Sequence, residues 1–205
     1  MTTYALIPPH GGTLVDRILT GDDREAALAR AESLPRLELG SVALSDLELI
    51  GNGAFSPLTG FMTRKDYISV VRDMRLSSGL PWSMPITLAA SREQAAALTV
   101  GSDVCLTDVA GRIVGILELA DKFEYDKADE AETVFRTTEE AHPAVARILA
   151  AGDIYLGGDV RVLNLPVDPP FAEYRLSPTQ SRSVIAERGW RQVVGFQTRN
   201  PIHRA

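Results

Sequence analysis

Short apolar segments separated by turn residues run through most of the chain and predict a fold of short strands and helices. The clearest strand pair is 104–107 and 113–119, where aliphatic and β-branched residues flank a polar turn at 108–111. This pattern is typical of a β-hairpin. Cys105 stands in the first of these strands and is therefore predicted to be a small buried core residue.

Apolar residues at helical spacing predict several helices before residue 150. Tyr67, Val70, Val71 and Met74 fall on one face of segment 64–74, so this face is expected to pack on the core. The predicted helices are 24–33 capped by Asp22 or Asp23, a short helix capped by Ser45, 64–74 capped by Thr63, a short helix begun by Ser91, and 142–149.

The remaining segments of the first part of the chain predict strands and packed loops. Expected strands are 4–7, the stretch around Leu37 and Leu39, an edge strand at 85–88, and strand segments within 153–165 broken by Gly157 and Gly158. The glycine-rich loop 51–61 is expected to be packed down by its aromatic residues. His10 is interpreted as a hydrogen-bonding turn residue in preference to a ligand contact, and the charge-rich stretch 122–138 as a solvated face in preference to a metal site.

A boundary is predicted at 165–170, where three prolines in five residues stop regular structure. It separates a first domain, 1–165, from a second unit, 166–205. In the second unit, Ser177 and Pro178 begin a helix that Gly189 ends, a buried strand is expected at 193–196, and Asn200 with Pro201 begins a further helix. This order of elements is typical of a doubly wound α/β nucleotide-binding domain.

Composition and charge exclude several classes of protein. The 205 residues carry a net charge of −6, which argues against nucleic-acid or membrane-surface partners, because both select basic patches. The single cysteine excludes an intrachain disulfide and a multi-thiolate metal cluster. The beginning of the chain lacks a signal-peptide pattern, and no apolar stretch is long enough to span a bilayer, so the cytoplasm is the expected compartment.

The candidate chemistry lies at the junction of the predicted strand 193–196 and the helix after it. Free N–H groups and the positive end of the helix dipole favour an anion at such a junction. Arg199 offers a planar fork of donors, Gln197 and Asn200 add neutral donors, and His203 can donate or titrate. From the residues alone, this loop is either an oxyanion site or an ordinary capped surface loop.

The segment Gln-Thr-Arg-Asn-Pro-Ile-His at 197–203 resembles the signature of the ATP sulfurylases, also called sulfate adenylyltransferases. The similarity extends to 9–12, to the block 45–62 and to 80–88. The resemblance implies an α+β, β-rich N-terminal domain like the PUA β-barrel over 1–165, followed over 166–205 by the first elements of an α/β doubly wound nucleotidyltransferase domain.

The resemblance also implies an activity and a set of site residues. The activity is adenylyl transfer from ATP to sulfate, giving adenosine 5′-phosphosulfate and pyrophosphate. It assigns Gln197 and Arg199 to sulfate, Thr198, Arg199 and Asn200 to the catalytic triplet, and Gln197, Thr198, Arg199, Asn200 and His203 to ATP. Mg²⁺ is expected to accompany ATP without a protein-bound metal, and the full-length form is expected to be a homo-oligomer.

The chain stops one position before the second histidine of the family's signature, so the resemblance implies an N-terminal portion that is incomplete as an enzyme. A lone strand and helix start cannot bury both faces of a parallel sheet. The segment 166–205 is therefore expected to dock on the first domain, to swap onto another chain, or to be poorly ordered. The alternative function is a non-enzymatic PUA-like module that binds RNA or protein.

Overall fold

The computed structural model describes residues 6–165 and 171–198, and its centre is a mixed β-sheet flanked by helices. The strands within these residues are β1 Arg36–Glu38, β2 Gly60–Phe61, β3 Leu88–Ala90, β4 Asp103–Thr107, β5 Ile113–Glu124 and β6 Ile154–Val162. The α-helices are α1 Gly21–Ala31, α2 Ser41–Gly51, α3 Arg64–Asp73, α4 Arg92–Ala96, α5 Lys127–Phe135, α6 Pro143–Ala150 and α7 Pro178–Glu187, and a 3₁₀ turn spans Ala172–Tyr174.

Strands β5 and β6 form the middle of the sheet, whose order is β1-β4-β5-β6-β2, with β3 also paired to β6. Only the β1–β4 pair is parallel among these described strands. In the long antiparallel ladder Leu117 lies opposite Val160, and the register shifts between Leu119 and Asp121. The predicted hairpin is confirmed as β4 and β5, and its turn is closed by hydrogen bonds from the Ala110 and Arg112 amides to the Asp108 carboxylate.

Glycines allow strand β2 to approach β6 closely. A Cβ on Gly60 would collide with the carbonyl oxygen of Gly158, and one on Gly157 would lie 2.5 Å from the Met62 carbonyl oxygen. The sequence predicted that Gly157 and Gly158 break the strand, which is wrong. They sit inside β6 because the neighbouring backbones leave no room for a side chain there.

The core lies between the sheet and the helices packed on it. Phe61, Leu47 and Ile116 are among its fully buried side chains, and burying a side chain of this size contributes about 2 kcal/mol. A cluster of tyrosine side chains packs at one side of the core, where the rings of Tyr125 and Tyr155 stack with their centroids 3.6 Å apart. The prediction that Cys105 is a core residue is confirmed, since its relative exposure is 0%.

The helices predicted within the described residues are present, but two predicted caps are wrong. Helix α1 begins at Gly21, after the N-cap Thr20, so Asp22 and Asp23 lie in its first turn. There their negative charges interact favourably with the positive end of the helix dipole. Helix α2 begins at Ser41 behind Gly40, which places Ser45 inside the helix. The physical reason is that residues 41–44 contain no helix breaker, so the helix extends back to the glycine.

Two other helix starts show what a side chain does at the cap. Ser91 caps α4 as predicted, in a capping box with Gln94. Thr63 occupies the N-cap of α3, but its side chain makes no capping bond; the Arg64 amide instead donates to the Asp121 carboxylate at 2.8 Å. The predicted edge strand 85–88 is displaced along the chain, because β3 pairs with β6 only over Leu88–Ala90.

The charge-rich stretch 122–138 is only partly a solvated face. Its first residues complete β5, and helix α5 packs on α3 and α6. Glu130 is buried, with 4% relative exposure, and it accepts hydrogen bonds from two tyrosines. The prediction of a solvent-facing carboxylate is therefore wrong at Glu130, because partners remote in sequence supply its hydrogen bonds.

The end of the described chain departs from the prediction of a buried strand. Residues 192–198 have no regular secondary structure, and the exposures of Val194 and Phe196 are 91% and 80%. A strand needs a neighbour for its hydrogen bonds, and none of the described strands lies beside this segment. The first half of the predicted strand at 4–7 lies outside the described residues, and Leu6 and Ile7 in its second half are not in a strand.

Candidate functional site

The predicted anion loop is described at its first two residues. Gln197 and Thr198 follow the extended stretch 192–196, and both are exposed to solvent. Arg199, Asn200 and His203 lie outside the described residues, as does the predicted helix start at Pro201. The structure therefore brings together only the neighbours Gln197 and Thr198 from the predicted set.

The segment that leads to this loop is built on helix α7. Ser177 accepts from the Gln180 amide, and the Gln180 side chain accepts from the Ser177 amide, which completes a capping box. At the other end, the amide of Trp190 donates to the Ile185 carbonyl, and the Arg188 guanidinium lies 4.9 Å from the centre of the Trp190 ring. The helix is thus defined at both ends before the chain extends toward Gln197.

Two arginines of this segment contact the first domain. The Arg175 guanidinium donates to the Glu48 carboxylate at 2.7 Å, and the Arg182 guanidinium donates to the Ile7 carbonyl oxygen at 2.7 Å. Among the three arrangements expected for this unit, residues 171–198 therefore dock on the first domain. Sequence patterns gave no indication of these contacts, because the partners are separated by 127 and 175 positions.

A polar cleft of about 760 Å³ lies beside strands β2 and β6, but its chemistry does not suit an anion. Its carboxylates are partnered: Asp66 accepts from the Ser77 amide, Asp103 contacts Arg30, Glu118 accepts from Arg161, and Asp159 accepts from Thr59. A lining rich in carboxylates repels sulfate and phosphate. This cleft is therefore a poor candidate for the predicted substrates.

Another residue singled out by the sequence analysis is His10, which two glycines follow. Its Nε2 lies 2.9 Å from the carbonyl oxygen of Pro81, and its ring centre lies 6.2 Å from that of Trp82. The interpretation of His10 as a hydrogen-bonding turn residue is confirmed. Phe55 packs edge-on against Trp82 at 6.0 Å, so the aromatic residues of the loop do pack it down, as predicted.

Buried Glu130 is the most unusual titratable group that the sequence did not predict. Tyr67 and Tyr155 donate to the same carboxylate oxygen, Oε2, at 2.9 and 3.0 Å. Burial raises the pKa of Glu130, while these two hydrogen bonds oppose the rise. The spacing of Glu130 with Ala131 and Val134 on one face of α5 is the pattern that could have indicated its burial.

The described ranges contain neither a metal cluster nor a membrane span. No group of three or more His, Cys, Asp or Glu side chains among residues 6–165 and 171–198 is arranged to hold a metal ion. None of the helices in these ranges is long and apolar enough to cross a membrane.

Comparison with known families gives the class to which the fold belongs. Residues 7–165 match the model of the PUA-like domain family, and residues 172–205 match that of ATP-sulfurylase. The chain therefore belongs to the PUA-like domain family over most of its length, and the mixed sheet with its helices is the structure of that domain. The resemblance to ATP sulfurylases is confirmed by the second match.

Individual relatives of the chain carry the names of enzymes that activate sulfate. The chain is 54% identical over 199 residues to a sulfate adenylyltransferase from Symbiobacterium thermophilum, covering 97% of this chain and 50% of that one. It is 56% identical to a probable bifunctional SAT/APS kinase from Sorangium cellulosum, covering 98% of this chain and 34% of that one. The chain thus spans about half the length, or less, of these relatives.

A solved structure agrees with the sequence comparisons. The fold is similar to that of a hexameric APS kinase from Thiobacillus denitrificans, with a TM-score of 0.77 and 34% sequence identity. The similarity covers 98% of this chain and 36% of that chain. It therefore includes the PUA-like domain together with the helix and extended segment that follow it.

Proposed function

We propose that this chain supplies the PUA-like domain and the substrate-binding loop of a sulfate adenylyltransferase. The observation that carries the proposal is the match of residues 172–205 to ATP-sulfurylase, directly after a PUA-like domain, in the segment that contains Gln197 to His203. In this proposal residues 1–165 form the first domain, and residues 166–205 begin the nucleotide-binding domain.

The reaction is the attack of a sulfate oxygen on the α-phosphorus of ATP. A bond between that oxygen and the α-phosphorus forms, the bond between the α-phosphorus and the bridging oxygen breaks, and pyrophosphate leaves. Sulfate is a weak nucleophile and both reactants are anions, so catalysis depends on holding them in line and neutralising their charge. A loop rich in N–H donors can do both without forming a covalent intermediate.

Each loop residue has a role in this proposal. Arg199 and Gln197 hold sulfate, the former through two parallel N–H donors that match two oxygens of a tetrahedral anion. Thr198, Arg199 and Asn200 form the catalytic triplet, and His203 joins them and Gln197 on the phosphates of ATP. The exposure of Gln197 and Thr198 supports this assignment, because ligands can reach them from solvent.

The charge of the rest of the protein supports a local anion site. With a net charge of −6, the protein has no long-range attraction for sulfate or ATP, so binding must come from donors placed together. We assign Mg²⁺ to the phosphate oxygens of ATP itself, where it would reduce the negative charge facing sulfate. We further propose that the full-length protein is a cytoplasmic homo-oligomer.

The experiment is product analysis with the protein as its gene encodes it. Radiolabelled sulfate, ATP and Mg²⁺ should give labelled adenosine 5′-phosphosulfate together with an equal amount of pyrophosphate. Pyrophosphate release that does not depend on sulfate, or the absence of the labelled product, would contradict the proposal. Salt-sensitive RNA binding without this activity would favour the non-enzymatic PUA-like module instead.

A further inference from the structure

The segment 171–198 is fixed to the first domain by a charged contact that the expected site residues do not include. Arg175 stands just before helix α7, and its Nη2 donates to Oε1 of Glu48 at 2.7 Å. A second contact, from Arg182 within α7 to the carbonyl oxygen of Ile7, is also 2.7 Å long. Two points on one segment therefore meet two separate parts of the first domain.

Glu48 is a firm anchor for this contact. It lies on helix α2, whose Leu47 and Ile50 are buried, and α2 packs against strand β6 at the centre of the sheet. The Glu48 side chain is 19% exposed, against 44% for that of Arg175. Partial burial reduces the screening of an ion pair by water, so this pair is stronger than one between two fully exposed side chains.

Arg175 in turn is coupled to the start of α7. Only Leu176 separates it from Ser177, whose capping box with Gln180 fixes the first turn of the helix. The helix then runs to Glu187, and the amides of Gly189 and Trp190 bond back to its last turn. A displacement of Arg175 would therefore displace the helix and the extended stretch that carries Gln197.

We propose that Glu48 is a positioning residue: by holding Arg175, it sets where helix α7 and the extended stretch that leads into the substrate-binding loop lie relative to the first domain. The inference rests on the proposed function, because it assigns sulfate and ATP to that loop. Glu48 accepts from Arg175 and is not among the residues assigned to sulfate or ATP. Its effect on the reaction passes through Arg175 and α7, so it should appear in the binding of sulfate more than in the stability of the first domain.

The test uses three changes and one matched control in the protein as its gene encodes it. Glu48→Gln and Arg175→Gln each break the ion pair, and the double change Glu48→Arg with Arg175→Glu rebuilds it in reverse. Glu32→Gln is the control, since it makes the same charge change in the exposed Glu32–Arg36 pair of the first domain. The readouts are amide hydrogen exchange of residues 179–187, and the separate values of KM for sulfate and of kcat.

We expect each single change to speed hydrogen exchange in α7 by roughly twofold to fivefold, the range of a modest ion pair, and to raise KM for sulfate with little change in kcat. The reversed pair should restore both, and Glu32→Gln should change neither. Exchange of α7 at the rate of an unfolded peptide in the unaltered protein would overturn the proposal. So would single variants that match Glu32→Gln in exchange and in KM.

The two proposals fail in different ways. If the unaltered protein makes no adenosine 5′-phosphosulfate, the proposed function is overturned, and the positioning role that rests on it is overturned with it. If the unaltered protein is active and Glu48→Gln behaves like Glu32→Gln, the positioning role is overturned and the proposed function stands.

Discussion

The hydroxyl of Tyr155 donates to the carboxylate of Glu130 at 3.0 Å, within the packed side of the sheet. Tyr67 donates to the same oxygen from helix α3, so one acid joins β6, α3 and its own helix, α5. Burial raises the pKa of Glu130, and it also raises the pKa values of Tyr67 and Tyr155 above their ordinary value. A charge at this position therefore costs stability that a neutral acceptor would not.

Replacing Glu130 with Gln should preserve the two tyrosine hydrogen bonds and remove the buried charge. Because the pKa of Glu130 is raised in the folded protein, its contribution to stability is present at low pH and is lost as the pH rises through that pKa. Relative to the unaltered protein, Glu130→Gln should therefore gain stability on going from pH 4 to pH 8. Urea unfolding at several pH values measures this difference.

Two further variants separate the effect of the buried charge from the effect of losing the hydrogen-bond acceptor. Glu132→Gln makes the same charge change on an exposed position of α5 and should show little pH-dependent gain. Glu130→Leu removes the acceptor that the Tyr67 and Tyr155 hydroxyls share, which should cost about 2 kcal/mol or more. A Glu130→Gln protein that loses stability with rising pH, relative to the unaltered protein, would contradict this account.

Asp46 should give a second pH dependence of the same sign. Burial raises the pKa of Asp46 from its ordinary 3.8 to about 6, although the nearby Arg147 guanidinium lowers it. Stability from the protonated form is complete below pH 4 and is lost as the pH rises through about 6. Asp46→Asn should remove this loss, about 3 kcal/mol at pH 8 for a pKa raised from 3.8 to about 6, whereas the exposed control Asp73→Asn should leave the pH profile unchanged. An Asp46→Asn profile identical to that of the unaltered protein would show that burial does not raise this pKa.

Cys105 should react with thiol reagents only when the protein unfolds. It lies in β4 with no exposed surface, and burial raises the pKa of its thiol. The reagent therefore cannot reach the sulfur in the folded protein, and little of the reactive thiolate is present. The variant Ser102→Cys places a second thiol at an exposed position close by in the chain. In that variant one thiol should label within the dead time of mixing and the other at the unfolding rate. Rapid labelling of both would contradict the burial of Cys105.

The sequence predicted best what depends on neighbours along the chain. The β4–β5 hairpin, the helix start at Ser91 and the buried stripe of α3 are local patterns, and each is present. The stripe is shorter than predicted, because the helix ends at Asp73 and Met74, in the left-handed conformation after it, is 57% exposed. The hydrogen-bond partners of Glu130 could not be predicted, because Tyr67 and Tyr155 lie 63 and 25 positions away.

The candidate site shows the same division. Its residue types left an oxyanion site and an ordinary capped surface loop both open, and the resemblance of 197–203 to a family signature favoured the oxyanion site. The strand expected at 193–196 does not form, because a strand needs partners that its own sequence does not contain. The docking of the segment through Arg175 and Glu48 likewise depends on tertiary contacts without a local pattern.

The most direct test of the central claim is sulfate-dependent pyrophosphate release by Arg199→Ala, measured in the protein as its gene encodes it. Loss of a charge-assisted contact to the reacting anions typically costs on the order of 3 kcal/mol, so the rate should fall roughly a hundredfold or more. Arg199→Lys should remain severely impaired, because it restores the charge without the two-pronged geometry. Circular dichroism checks that both variants are folded. A folded Arg199→Ala protein with near-normal sulfate-dependent turnover would contradict the assignment of this loop as the substrate site.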